Sequence, residues 1–297
     1  MHRSNWIGLF VLLLGNLDLA AQRKANTNVL VIGASTGGTA AAIQCARMGV
    51  PTLLVESTPW LGGMLTSAGV SCTDGNDELW SGLWMEFREE LYRHYGTRDL
   101  FTGWVSKTCF EPKVGDSIFK MMAAREKQLQ IAWGWYFDRI IKSEERVTGA
   151  LFRNQKGETL TVTARLTIDA SDLGDAFASA GVAYDIGMED KLYSQEAMAP
   201  GFYPVLQDLT WAATLQDYGP GADVTLARPP DYDSTNYFCC CTNAPCEQTS
   251  WPGSAQKMLD YGKLPLSPGQ YQAKYMLNWP KFGNDDTLNA IAVPPIR

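Results

Sequence analysis

The chain has 297 residues, of which 45% are hydrophobic and 19% charged, a composition typical of a globular protein with a sizeable core. Its net charge of −7 argues against a nucleic-acid partner, because such proteins use surplus Lys and Arg to release counterions. Only two histidines occur, His2 and His94, so a multi-histidine metal site is excluded and no metal is predicted.

The first 21 residues have the pattern of a secretory signal peptide. Arg3 precedes an apolar run from Trp6 to Leu14, and the segment that follows ends in the small residues Ala20 and Ala21. The run is about nine residues long, too short for a helix that spans a bilayer. We therefore expect cleavage after Ala21, a secreted or periplasmic protein, and no stable membrane anchor afterwards. An uncleaved anchor is the alternative.

An exported chain is in an oxidising compartment, where its cysteines can form disulfides. Of the seven cysteines, four form a cluster within residues 239–246, namely Cys239, Cys240, Cys241 and Cys246. This spacing lacks the paired C-x2-C of a zinc site, which leaves a disulfide within the cluster or plain loop thiols. Cys45 lies in a small-residue helical pattern and is predicted to be a buried apolar filler.

The stretch after Asn28 predicts a βαβ unit. A run of apolar, β-branched residues at 29–32 is typical of a buried parallel strand, and it stops at Gly33. An Ala-rich helix is predicted over 39–48 and a second strand over 50–55. A unit of this kind is the frame of dinucleotide-binding folds.

The turn between the first strand and the helix carries phosphate-binding features. Gly33 permits a tight turn, and the missing side chain at Gly38 lets the helix pack on the strand. The helix N-terminus offers N–H groups and a positive dipole to a pyrophosphate. The candidate binding residues here are Gly33, Ser35, Thr36, Gly37 and Gly38. Ser35 replaces the middle Gly of G-x-G-x-x-G, and we expect its hydroxyl to donate to a phosphate oxygen.

Glu56 ends the second strand 23 residues after Gly33, where a carboxylate can accept hydrogen bonds from ribose hydroxyls. Two glycines in the segment that follows suit a backbone close to a ligand, which simple nicotinamide proteins do not need. The candidate residues of this segment are Leu61, Gly62, Gly63 and Met64. A nicotinamide-dependent Rossmann enzyme is therefore a disfavoured alternative.

The middle of the chain predicts an α/β fold with a parallel sheet. Helical spacing extends over 116–129, a third parallel strand over 131–135, and a β-meander over 137–165. A fourth strand is predicted at 167–170.

These motifs resemble the FAD-dependent oxidoreductase family of the glutathione-reductase-like flavoprotein class, of the secreted bacterial type. Other resembling segments lie between residues 68 and 285: Ala68-Gly69-Val70, Asp74-Gly75, Phe110-Glu111-Pro112, Ile168-Asp169-Ala170-Ser171-Asp172-Leu173-Gly174-Asp175, Ala180-Gly181-Val182, Gln207-Asp208-Leu209-Thr210, Asn278-Trp279-Pro280 and Gly283-Asn284-Asp285. The resemblance implies FAD as cofactor, with further contacts from Ala170, Ser171 and Gly174. Turn capping at the strand exit is the alternative role of Asp169 and Asp172.

The resemblance also implies a domain organisation. A Rossmann-like FAD-binding domain is expected over 28–183, with a helical insertion at about 76–110. An inserted α+β substrate or cap domain is expected over 184–297. No Gly-rich segment followed by a helix returns before Arg297 to complete the flavin domain. We therefore expect either a fragment, whose cap domain is incomplete, or a protein that has lost the end of its cofactor site.

The function that the resemblance implies is hydride transfer between a small-molecule substrate and the flavin, with the substrate and the electron acceptor unassigned. Glu111 is the catalytic candidate because Phe110-Glu111-Pro112 places a carboxylate in a rigid context; a structural ion pair is the alternative. His94, within the amphipathic stretch 83–95, is predicted to be a helix-surface residue. A non-catalytic exported remnant of a flavoprotein is the third hypothesis.

Overall fold

The computed structural model describes residues 21–73, 78–103, 106–184, 209–232, 259–278 and 285–286, with Leu209 and 285–286 described as backbone only. The predicted signal segment up to residue 20 and the cysteine cluster at 239–246 lie outside these residues.

The main element is a six-stranded mixed sheet. Its strands in chain order are β1 Gln22–Ile32, β2 Thr52–Glu56, β3 Leu129–Trp133, β4 Tyr136–Ser143, β5 Arg146–Arg153 and β6 Thr159–Asp169. Their spatial order is β3-β2-β1-β6-β5-β4. The four strands β3, β2, β1 and β6 run parallel to one another, and β4, β5 and β6 form an antiparallel meander. The predicted α/β fold with a parallel sheet and a meander is confirmed.

Helices cover the sheet, and short strands follow it. The helices are α1 Thr36–Arg47, α2 Gly82–Tyr95, α3 Pro112–Ala124 and α4 Asp175–Ala180, with a 3-10 turn at Gly63–Leu65. The short strands β7 Leu209–Thr210 and β10 Asp285–Asp286 pair with each other, as do β8 Ala213–Gln216 and β9 Lys274–Leu277. Within the described ranges, no helix has the length and apolar character needed to cross a membrane.

Several element boundaries differ from the sequence-based prediction. β1 begins at Gln22 because its polar first half pairs with β6 alone, which leaves that half without the apolar signal of a buried strand. α1 begins at Thr36 because Ser35 caps it. α3 runs over Pro112–Ala124, earlier than predicted, because a proline suits the first helical turn and Glu111 is its N-cap.

The predicted fourth strand at 167–170 is not separate. It is the end of β6, which continues without a turn from the meander because residues 166–169 stay paired with β1. One strand therefore belongs both to the meander and to the parallel sheet.

The central strand β1 is buried on both faces at its carboxyl end. Val29 and Val31 pack with α1, α2 and α3, whereas Leu30 and Ile32 face the opposite cluster with the meander. This alternation follows from the two-residue period of a strand. Cys45, predicted as buried, is half-buried on α1 because it lies at the border of the stripe that packs on the sheet.

The turn into α1 depends on a glycine at position 38. A Cβ atom there would overlap the carbonyl oxygen of Gly33 and lie 2.7 Å from the Cβ of Ala170. At Gly37, the nearest heavy atom to such a Cβ is the Ser35 hydroxyl oxygen at 4.0 Å. The backbone crossing of α1 over the end of β6 is thus specific to Gly38.

We expect Gly38→Ala to lower the free energy of unfolding by about 3 kcal/mol, because backbone atoms cannot relax away from the added methyl group. Gly37→Ala is the matched control. The Gly37→Ala variant should be more stable than the wild type by up to about 1 kcal/mol, because alanine favours a helix. Urea unfolding of the two variants checks this, and equal losses in both would contradict the packing role of Gly38.

Candidate functional site

A cavity of about 600 Å³ lies at the carboxyl ends of the central parallel strands. It is lined by the ends of β1 and β2, by the residues that follow β6, and by the start of β4. Six of the predicted cofactor residues line it, namely Gly33, Ser35, Glu56, Gly63, Ala170 and Ser171. This is where ligands bind in open α/β sheets, and the volume suits a cofactor or small ligand.

Glu56 is held in place at the edge of this cavity by hydrogen bonds. Its Oε2 accepts from the backbone N–H of Ala34 at 2.7 Å. Its Oε1 accepts from the N–H of Thr58 at 2.8 Å and from the hydroxyl of Ser57 at 3.2 Å. Since each carboxylate oxygen has two lone pairs, Oε2 keeps an acceptor site for a ligand hydroxyl.

Ser35 is the N-cap of α1. Its Oγ accepts from the N–H of Gly38 at 3.1 Å, which leaves the hydroxyl hydrogen able to donate. We did not predict this role from the sequence, although a serine before an Ala-rich helix is its signal. The N–H groups of Thr36 and Gly37 lie in the first turn, where no carbonyl within the helix accepts from them. The predicted donation from Ser35 to a phosphate stays a prediction.

Gly62 and Gly63, which follow β2, pack against the turn between β1 and α1. The N–H of Gly62 donates to the carbonyl of Ala34 at 3.0 Å, and the hydroxyl of Thr36 donates to the carbonyl of Gly62 at 2.7 Å. A Cβ atom at Gly63 would lie 2.7 Å from the Cα of Ser35. The close approach that we ascribed to a ligand is therefore already required by the protein's own backbone.

The other residues of this segment lie away from the cavity. Gly62 has φ +103°, and a Cβ atom there would lie 2.6 Å from the Phe119 ring. Leu61 is fully buried, whereas Met64 is 63% exposed. None of these three lines the strand-end cavity. They shape the backbone beside it.

Asp116 is a structural residue of this region that our sequence analysis missed. Buried on α3, it accepts from the N–H of Leu61 at 2.9 Å through Oδ1 and pairs with Lys120 at 2.7 Å through Oδ2. An acidic residue on the apolar face of a predicted helix was the available signal. Asp116 connects α3 to the glycine segment.

The residues after β6 form a capped turn. Asp169 accepts from the N–H and the hydroxyl of Ser171 through Oδ1, at 3.0 and 2.7 Å, and from the N–H of Phe177 through Oδ2 at 2.8 Å. The turn-capping alternative is thus the observed role of Asp169. Gly174, at φ +72°, precedes α4 and does not line the cavity.

Part of the cavity wall carries acidic side chains. Burial, and then the charges of Glu56 and Asp175, raise the pKa of Asp172 above its usual range. All three carboxyl groups line the cavity. In the part of the chain that the structure describes, no group of three His, Cys, Asp or Glu side chains is placed so that it could hold a metal ion.

Glu111 lies in a different cluster. It is buried at the N-cap of α3, where its carboxylate contacts the ammonium of Lys274 and the hydroxyl of Ser267. It does not line the strand-end cavity but a second one, of about 590 Å³. The ion-pair alternative is therefore observed, and proton transfer by Glu111 stays a prediction.

Two residues of α2 complete this cluster. His94, exposed on the helix surface as predicted, has Nε2 at 2.9 Å from the hydroxyl oxygen of Ser267. The hydroxyl oxygen of Tyr95 accepts from the N–H of Glu111 at 2.8 Å. Burial raises the pKa of the Tyr95 hydroxyl, and the charge of Glu111 adds to this rise.

The chain matches the family model described as FAD dependent oxidoreductase over residues 28–294, and it belongs to this family. FAD is therefore its cofactor, rather than a nicotinamide. The hydroxyl of Ser35, the open acceptor site of Glu56 and the cavity that both residues line fit a dinucleotide. No curated protein sequence matches the chain.

Solved structures similar to the chain include flavoenzymes at low identity. A mutant of Escherichia coli quinol fumarate reductase FrdA is 12% identical, with 50% of this chain and 33% of that chain covered and a TM-score of 0.37. A geranylgeranyl bacteriochlorophyll reductase-like protein from Thermoplasma acidophilum is 18% identical, with 54% and 43% covered and a TM-score of 0.38. The chain thus spans less than half the length of these two proteins.

We expect Glu111→Gln to lower the free energy of unfolding by about 3 kcal/mol, because it leaves the ammonium of Lys274 without its counter-charge in a largely buried site. Lys274→Met should cost a similar amount, and the double variant less than the sum of the two. Denaturant unfolding of the four proteins forms the double-mutant cycle.

The control is Glu89→Gln, which breaks the exposed pair with Arg98 and should cost less than about 1 kcal/mol. Additive losses for Glu111→Gln and Lys274→Met would show that the pair does not couple α3 to β9.

Proposed function

We propose that the protein catalyses hydride transfer between a small-molecule substrate and FAD held in the strand-end cavity. The proposal rests on the cavity itself. Glu56 and the turn into α1 both line it, at the carboxyl edge of the sheet. The family of the chain supports the same reaction class. When bound, the flavin supplies two-electron chemistry, and the protein supplies position and electrostatics.

The residues that would hold FAD divide by chemistry. The N–H groups of Thr36 and Gly37, with the Ser35 hydroxyl, are donors for the diphosphate. Glu56 is the acceptor for ribose hydroxyls. Walls come from Gly33, Gly63, Ala170 and Ser171, whereas Gly38, Leu61, Gly62, Met64 and Gly174 set the backbone around them.

The finer class that we propose is the glutathione-reductase-like flavoproteins. Three features support it: the glycine turn into α1, the carboxylate at the end of β2, and the antiparallel meander that continues into a parallel strand. A visible absorption spectrum of the purified protein tests the cofactor. A bound flavin supports the proposal, whereas a colourless protein that FAD does not reconstitute would overturn it.

The proton acceptor that we propose is Glu111. Its support is a carboxylate that lines the second cavity with His94 and Lys113, and the proposal requires a substrate that extends from this cavity to the flavin. In a Glu111→Gln variant that still binds FAD, the rate of flavin reduction by the substrate should then no longer depend on pH. Reduction with the wild-type pH profile would leave Glu111 with the structural ion pair alone.

The proposal includes export to a secreted or periplasmic location. Cleavage after Ala21 would leave β1 whole, since this strand begins at Gln22. We expect N-terminal sequencing of exported protein to begin at Gln22. An intact Met1 on exported protein would exclude cleavage.

We expect Glu56→Ala to weaken FAD binding by about 1 to 3 kcal/mol, because a charge-assisted hydrogen bond is lost and its ribose partner is left unpaired. Asp172→Asn is the control in the same cavity. It removes a negative charge that opposes an anionic diphosphate, so affinity should stay equal or rise.

Isothermal titration of the apoproteins with FAD measures both variants, with circular dichroism as the check on folding. A loss of the same size in Asp172→Asn, or unchanged affinity in Glu56→Ala, would remove Glu56 from the cofactor site.

A further inference from the structure

Cys72 and Cys109 face each other across an isolated antiparallel bridge. The N–H of Phe110 donates to the carbonyl of Ser71 at 3.0 Å, and the N–H of Thr73 donates to the carbonyl of Thr108 at 3.2 Å. Because these bonds flank the cysteines, the two residues form a non-hydrogen-bonded pair. In such pairs the Cα atoms lie about 4.5 Å apart and the side chains are closest.

That spacing is within the range that a disulfide requires, about 4.4 to 6.8 Å between Cα atoms. Both cysteines are buried, at 5% and 2% exposure, and the structure holds them as thiols. They form a small cluster with Leu264 and Met276. Backbone hydrogen bonds thus hold the two cysteines opposite each other, and apolar packing encloses their side chains.

We propose that Cys72 and Cys109 form a disulfide in the mature protein. The two thiols lose two protons and two electrons, and one S–S bond forms. The oxidant is a disulfide, either oxidised glutathione or a disulfide-bonded protein, which is reduced to two thiols by exchange through a mixed disulfide. The proposal goes beyond the oxidoreductase function and needs no bound FAD.

The bond must close during folding. Burial raises the pKa of the Cys109 thiol, so the folded protein holds less of the thiolate that attacks a disulfide. The thiol also contacts the carbonyl oxygen of Ser106 at 3.4 Å. While the chain is still open, both sulfur atoms are accessible to an oxidant.

The disulfide would join the chain before α2 to the residues that lead into Glu111. Cys109 lies two residues before Glu111, and the apolar partner Met276 lies two residues after Lys274. The bridged loop contains the whole of α2, Gly82–Tyr95. A covalent bond here would therefore restrain the chain at the start of α3 and the segment packed on it.

The test is refolding of the full chain in a glutathione buffer, followed by alkylation with iodoacetamide, proteolysis and mass spectrometry. We expect a cross-linked pair of peptides that contain Cys72 and Cys109 and that separate on reduction. Alkylation of both residues before reduction would overturn the proposal. A cross-link from either one to the cysteines at 239–246 would also overturn it.

A second readout is the reductant dependence of thermal stability. Reduction should lower the Tm of the wild type and of the control Cys45→Ser by roughly 5 to 15 °C more than that of the Cys72→Ser, Cys109→Ser double variant. An equal shift in all three proteins would overturn the proposal. If the double variant does not fold, the peptide map of the wild type decides alone.

Discussion

The parallel pairing of β1 with β2 on one side and β6 on the other is the constraint from which the strand-end cavity follows. The N–H of Gly33 donates to the carbonyl of Val55, and the N–H of Ala170 donates to that of Ile32, both at 2.9 Å. These bonds align the ends of three strands that are distant in sequence. The strand-end cavity is the space above that edge, so its walls share one register.

Backbone packing restricts the same region to small residues. Gly38 lets α1 cross the end of β6, and Gly63 lets the segment after β2 approach Ser35. Asp116 then holds that segment from α3 through the N–H of Leu61. The shape of the loop expected to bind phosphate is therefore set by contacts within the protein, and such preorganisation lowers the ordering cost of binding.

The two carboxylates singled out from the sequence have different surroundings. Glu56 accepts from backbone N–H groups and borders a cavity that contains other acids, so it suits neutral hydroxyl donors. Glu111 is paired with Lys274, so its charge is already balanced within the protein. The same residue type thus borders the strand-end cavity at one position and connects distant segments at the other.

The sequence by itself determined the βαβ unit, the turn at Gly33, the strand-end position of Glu56 and the flavoprotein family, because these depend on residues close together in the chain. Strand and helix periods and glycine turns are local properties. Only the tertiary structure decided that β6 runs unbroken, since its continuation is set by pairing with β1. The Glu111–Lys274 ion pair and the Cys72–Cys109 bridge were likewise decided by packing, because their partners lie far apart in sequence and no local pattern links them.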